Sequence, residues 1–342
     1  MNNVPLFEKL KALSGKMKIE KLKGRRETSL VLLIILLLVI VSLRAPGFVS
    51  SRNIQRIVND TSILVMVSLG QFFVILAGGI DLSVGSMIGF AGMAASMINE
   101  AYPAIPAVMV LLAGVLIGTA LGALNGFIVA FGKVPPIIVT LGTLSIFRGL
   151  TFVLSKGQWV TAHEMTESYM QLPHGNMFGI SNLIWWGVLV SVVLFYLSNY
   201  TRSGREVYAI GGNKTAAKFV GVNERKINMM IFTLSATVCG IAGVMWTARY
   251  AAAVNETATG FELQTVAACV IGGVSIAGGS GAVPGVILGA LFIGIINNAL
   301  PVINLSPFYQ LFIQGAIVLF AMLVNTLSSR RRERKLLQER LS

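Results

Sequence analysis

Charge is what this 342-residue chain has least of: only 12% of its residues are Asp, Glu, Lys or Arg, about half the share of an ordinary soluble domain. With a hydrophobic share of 55%, a soluble globular enzyme does not fit. Cysteine and histidine are nearly missing, at two residues each. Cys239 and Cys269 lie inside apolar stretches without CxxC spacing, which excludes a disulfide framework or a zinc site and makes them small buried hydrophobes. His163 opens HEMTE, which lacks the second histidine of HExxH, so no metal ligand and no catalytic residue is assigned. There is no GxxxxGK[ST] loop to cradle a phosphate, so the chain is not itself an ATPase and binds no cofactor of its own. The apolar stretches also lack the series of Asp, Glu and His that a proton relay needs; Asp81 is the one acid expected inside the membrane in the first half.

The few charges are unevenly placed. Lys and Arg outnumber Asp and Glu by 27 to 14, a net charge of +13. Residues 1–27 hold eight of the basic residues, 201–226 hold six and 330–342 hold six, so twenty of the 27 lie in three short stretches. Nucleic-acid binding would be the usual reading of so basic a chain. The intervals are instead apolar runs long enough for a bilayer, which takes about 20 helical residues.

The pattern predicts an all-α polytopic membrane protein of about ten transmembrane helices, at 29–44, 61–79, 84–99, 104–131, 136–155, 181–199, 228–248, 263–279, 282–300 and 307–327. Three parts follow: a basic tail over 1–28, a transmembrane domain over 29–327 with a loop at 200–227, and a basic tail over 328–342. The first run, Leu30 to Leu43, meets Arg44-Ala45-Pro46-Gly47 rather than a small-x-small cleavage site, so it reads as an anchor. The positive-inside rule puts both tails and the 200–227 loop in the cytoplasm of a bacterial inner-membrane protein, with membrane lipid as a contact of the tails. Glycines four residues apart, at Gly85 and Gly89, at Gly118, Gly122 and Gly126, and at Gly281, Gly285 and Gly289, predict close helix packing.

The chain also echoes itself. GGIDLSVGS from Gly78 aligns without gaps on GGVSIAGGS from Gly272, and Leu121-Gly122-Ala123-Leu124 on Leu288-Gly289-Ala290-Leu291. Two related halves, each with a helix broken at a glycine-rich segment, are the pattern of transporters, whose broken helices offer backbone groups to a polar cargo. Asp81, beside Ser83 in the first echo, has two roles open to it: contact with cargo, or the cap of a helix starting near Leu82 at the cytoplasmic membrane surface. A neutral polyol wants amide, hydroxyl and aromatic neighbours, so Asn125, Phe147, Asn297 and Asn298 join Asp81 and Ser83 as pathway candidates. Arg148, well inside a span, needs an acidic or carbonyl partner.

In the 200–227 loop, Asn213 can cap a short helix over Lys214–Val220 and Gly221 can end it in the left-handed conformation. Such a helix displays Lys214 and Lys218 at four-residue spacing, with Phe219 and Val220 as an apolar tip. It reads as a docking element for a soluble partner; the alternative is a solvated basic loop.

GGIDLSVGS from Gly78, PPIIVTLGTLSIFRG from Pro135, GGNKTAAKFVGV from Gly211 and AACVIGGVSIAGGSGAVPGVILGA from Ala267 resemble the permease subunits of bacterial ATP-binding-cassette (ABC) importers for simple sugars, the ribose, xylose, rhamnose and autoinducer-2 branch. The resemblance spans about residues 46–327. GQWVTAHEM from Gly157, TGFELQTVAACVIGG from Thr259 and NALPVINLSPFYQ from Asn298 are most similar to the rhamnose type. It implies import of a monosaccharide, rhamnose or a related pentose or deoxyhexose, with autoinducer-2 as the alternative cargo. It also implies a second permease subunit, a sugar-binding protein outside the cytoplasm, and cytoplasmic ABC ATPases that hold the ATP and magnesium. The stretch from Arg205 to Lys226, with Arg205, Asn213, Lys214, Ala217, Lys218, Phe219 and Gly221, would then be the ATPase-coupling loop. Two other classes remain: an ion-driven secondary transporter and a membrane scaffold without transport.

Overall fold

The computed structural model describes residues 27–302 and six helical positions between 309 and 323. The span expected at 307–327 and both basic tails lie almost wholly outside the described residues. The described helices are α1 (Glu27–Arg44), α2 (Ser51–Leu76), α3 (Val84–Ala101), α4 (Ala107–Gly132), α5 (Pro136–Ser155), α6 (Glu167–His174), α7 (Asn182–Tyr200), α8 (Arg202–Gly212), α9 (Lys214–Phe219), α10 (Glu224–Tyr250), α11 (Phe261–Ile271) and α12 (Val283–Val302). Seven of them, α1, α2, α4, α5, α7, α10 and α12, are long and apolar enough to cross a membrane. The protein is mostly helical and multi-pass. Its strands, β1 (Val160–Thr161), β2 (Asn176–Met177), β3 (Ile180–Ser181) and β4 (Ala252–Ala253), are two residues each. Antiparallel pairing of β1 with β4 ties the segment after α5 to the end of α10.

Local chemistry sets the boundaries. Side-chain oxygens of Thr166, Ser181, Thr201, Asn213 and Asn223 each accept a backbone N–H at the start of α6, α7, α8, α9 and α10, satisfying donors that a helix leaves unpaired. Pro136 opens α5, where its missing N–H does no harm.

Three expectations need correction. The predicted span 263–279 is helical only as α11, 11 residues or roughly 16 Å, about half the hydrocarbon thickness. Gly273, Gly278 and Gly279 have φ of +86°, +89° and +72°, a left-handed backbone that no α-helix continues through. α2 starts ten residues before the predicted 61, because Arg52, Asn53, Arg56 and Asp60 broke the apolar signal without breaking the helix. And α8, which the sequence reading left as loop, precedes the short helix.

α2 is the axis of the bundle. Every residue from Thr61 to Leu76 is buried, against α7, α10, α11 and α12. α4 lies along α10 through Gly114, Gly118, Gly122 and Gly126; added Cβ atoms there would meet Val244, Ala236 and Gly240, Phe232, and Met229. This is the close approach that the glycine spacing called for. α1, by contrast, has 11% of its apolar window buried, where α2 has 83%.

Candidate functional site

The glycine-rich starts of both echoed segments, residues 78–83 and 272–280, are non-helical, and they meet. α2 stops at Leu76, and Leu76 O accepts the backbone N–H of Gly279 at 2.8 Å. A Cβ on Gly278 would lie 3.0 Å from Gly78 N, so the glycine stretches of the two halves cross backbone to backbone at one end of α2. α8 closes the crossing. A Cβ on Gly211 would strike Leu76 O and come 2.5 Å from Gly279 N, and the Tyr208 hydroxyl donates to Gly281 O at 2.9 Å. The helix missed from the sequence is therefore the piece that touches both breaks.

α9 follows directly. Asn213 Oδ1 accepts the N–H of Ala216 at 2.9 Å, and Gly221 at φ +84° turns the chain into α10. Ala217 is buried beneath α9, while Phe219 and Val220 are 87% and 78% exposed. Lys214 is paired with Glu224 at 3.2 Å; Lys218 and Arg205 are exposed. Beside α9 a cleft of about 900 Å³, with Lys133, Lys214, Lys218 and Arg225 in its walls, reaches Gly78 and Gly79.

Asp81, Ser83 and Asn125 form one buried cluster inside the first break. Asp81 Oδ1 accepts the Ser83 backbone N–H at 2.9 Å and its hydroxyl at 2.6 Å, and Asn125 Nδ2 donates to Ser83 Oγ at 2.9 Å. Gln71 of α2, with its amide turned to satisfy both, pairs with the Asp81 backbone N–H and C=O at 3.1 and 3.2 Å. Thr140 donates to Ile80 O at 3.2 Å. Asp81 is fully buried, and it organises the turn before α3 rather than capping a helix at Leu82; α3 begins at Val84. Asp81→Ala leaves two buried donors of Ser83 without an acceptor, at about 1–3 kcal/mol each. The expected result is a lower thermal midpoint of the solubilised protein, with Asp81→Asn, which keeps an acceptor oxygen, closer to wild type.

Phe147 is buried in the core face of α5, and Arg148 beside it has found carbonyl partners. Its Nη1 donates to Asn255 O and Thr257 O, both at 2.8 Å. Glu164 of HEMTE accepts the Thr161 N–H and hydroxyl at 2.7 and 2.9 Å; these bonds hold its carboxyl below the usual range, a local turn contact rather than catalytic chemistry.

Asn297 and Asn298 stand apart from all of these. They line a cavity of about 460 Å³ between the first half of α2, the end of α10, the start of α11 and the last turns of α12. It lies at the opposite end of the bundle from α8 and α9. Sequence reasoning missed its other walls, Trp246, Tyr250, Phe261, Gln264 and Asp60, and the pairing of Asp60 with Arg249. The one available signal was polar residues in the first turns of what proved to be α2.

A glycine crossing between two related segments, gripped by a helix outside the spans, suits a protein whose halves move. A family profile described as the permease component of a branched-chain amino acid transport system matches residues 53–322. The chain belongs to this permease family. It is 38% identical over 295 residues to the ribose import permease protein of Haemophilus influenzae, covering 85% of this chain and 90% of that protein. To the L-arabinose ABC transporter permease protein of Azospirillum brasilense it is 36% identical over 296 residues, 86% of either chain. To the autoinducer 2 import system permease protein of Shigella flexneri it is 32% identical over 303 residues, 89% of this chain and 87% of that one. No solved structure matches the permease.

Proposed function

We propose that this permease is the membrane subunit of an ABC importer that carries a monosaccharide into the cytoplasm. The observation that carries the reading is α9: a capped helix outside the spans with an exposed apolar tip, joined through α8 to the crossing of both glycine breaks. A soluble ATPase docking there can move both breaks with one displacement. The positive-inside rule orients the α8–α9 end and both basic tails toward the cytoplasm. Ten spans then result when α3, the half-length α11 with the glycine stretch that follows it, and the span that the sequence predicts at 307–327 are counted with the seven. The ATP and magnesium reside on the partner ATPases.

A second permease subunit has a natural seat on α5. Gly142, Ser145 and Gly149 share an exposed side of that helix, with open space beside both glycines, and small residues favour helix contact in lipid. A sugar-binding protein would deliver cargo at the other end, where β1 and β4 bind the loops together. As cargo we propose rhamnose or a related pentose or deoxyhexose, from the loop stretches at Gly157, Thr259 and Asn298, with autoinducer-2 as the alternative.

Reconstituting the permease in proteoliposomes with a candidate ABC ATPase and sugar-binding protein tests the reading. The expected result is uptake of one of L-rhamnose, D-ribose or L-arabinose that needs ATP inside and the binding protein outside. Uptake by the purified chain alone, driven by a proton or sodium gradient, would overturn it.

A further inference from the structure

The cavity at the end away from α9 has the chemistry of a sugar site. One wall is aromatic: the Trp246 ring stands 5.1 Å from Phe261, edge-on at 88°, and 5.6 Å from Tyr250, tilted at 49°, contacts that fix the indole's orientation. Facing it are the amides of Gln264, Asn297 and Asn298. Asn297 Nδ2 donates to Gln264 Oε1 at 3.0 Å, and Asn298 Nδ2 to Gly294 O at 3.0 Å, so the amides are set in place before any ligand arrives. Two charged residues, Asp60 and Arg56, also line the cavity; Asp60 is bound by Arg249 and lies 3.9 Å from Arg56, so its charge is neutralised within the protein. A volume of about 460 Å³ falls within the roughly 300–1,000 Å³ of small-molecule sites. A pyranose or furanose ring has one face of C–H groups and an edge of hydroxyls, and this cavity offers an aromatic face and an amide edge to match.

We infer that the cavity is a binding site for a neutral monosaccharide, with Trp246 against the C–H face of the ring and Gln264, Asn297 and Asn298 bonding its hydroxyls. The inference rests on the import reading and extends it: cargo released by the binding protein pauses on this chain before the glycine crossing opens. The permease is thereby a second point of cargo selection, because a site built to hydrogen-bond hydroxyls rejects analogues lacking them.

The experiment uses the assembled importer in lipid nanodiscs. Both native cysteines are buried, so Val302→Cys, on the cavity wall but not among the groups that bond the sugar, supplies this chain's one accessible thiol among the described residues. Labelling by a membrane-impermeant maleimide is followed with the transported sugar among L-rhamnose, D-ribose and L-arabinose, and with sorbitol, which has no ring. The expected result is protection of about tenfold by the transported sugar at saturation and none by sorbitol. In the same system Trp246→Ala lowers uptake about tenfold, and Trp246→Phe, which keeps an aromatic face, stays within about threefold. Equal labelling with and without sugar overturns the site even where Trp246→Ala fails to assemble, as does labelling blocked by lipid whatever the sugar. Wild-type importer that moves no monosaccharide instead removes the import reading itself.

Discussion

Gly211→Ala reduces ATP-driven uptake at least about tenfold, while Gly212→Ala, one residue along, leaves it within about twofold of wild type. The contrast comes from what each new methyl group would meet. At 211 it strikes Leu76 O and the backbone of Gly279; at 212 nothing lies within 4 Å. Backbone atoms cannot swing aside as a flexible side chain can, so α8 must withdraw, at an overpacking cost of about 1–3 kcal/mol. Withdrawal pulls Tyr208 from Gly281 O and loosens the bond between Leu76 O and Gly279 N. ATP-dependent uptake at matched membrane levels, with the thermal midpoint of the solubilised complex, checks this. Equal uptake by the two variants would show that α8 is a spacer and not the contact that moves the breaks.

Phe219→Asp separates ATP hydrolysis from uptake. An exposed phenylalanine at the tip of a capped helix is an expensive residue to leave in water, and burying such a side chain in a partner's socket contributes about 1.5–3 kcal/mol. A carboxylate in that socket both forfeits the burial and carries a desolvation cost. The expected readings are weaker capture of the ATPase by the tagged permease and uptake per ATP hydrolysed down about tenfold or more. Lys218→Glu, on the rim of the same surface, has a smaller and salt-dependent effect. Normal uptake by Phe219→Asp at wild-type expression would sink the docking role of α9.

How much of this was legible depended on whether the signal was local. The α9 helix could be read because a side-chain cap and a left-handed glycine, Asn213 and Gly221, fix a short helix within a stretch of nine residues. The echo of Gly78 and Gly272 was visible as a pattern, but its physical meaning, a crossing held by α8, depends on contacts between residues about 130 and 200 apart in sequence. α8 was hidden by its charges: Arg202 and Glu206 pair with each other at 2.7 Å along an exposed face, and only Gly204, Val207 and Ile210 are buried. Hydropathy also misplaced Asp60, which sits within α2 because Arg249, 189 residues away, neutralises it. Asp81 was singled out correctly as unusual, yet its burial under Gln71, Thr140 and Asn125 needed three other helices to be in place. The cavity proposed for the sugar was half seen, through Asn297 and Asn298, because its aromatic wall comes from helices that the sequence gives no reason to pair.

The central position of α2 carries a consequence for how the protein is made. Of the seven spans it has the lowest mean hydropathy, 1.5 against 2.4 for α1 and α4, and the largest buried share. A segment so weakly apolar enters the bilayer during synthesis with Asp60 still lacking Arg249 of α10, its partner in the finished protein. α10 begins 148 residues after α2 ends, from Leu76 to Glu224, and at about 5–20 residues per second that is a wait on the order of ten seconds. During that interval α7 is already made to pack against α2, but Asp60 is not yet neutralised, which makes the half-made chain the form most open to membrane proteases and insertases.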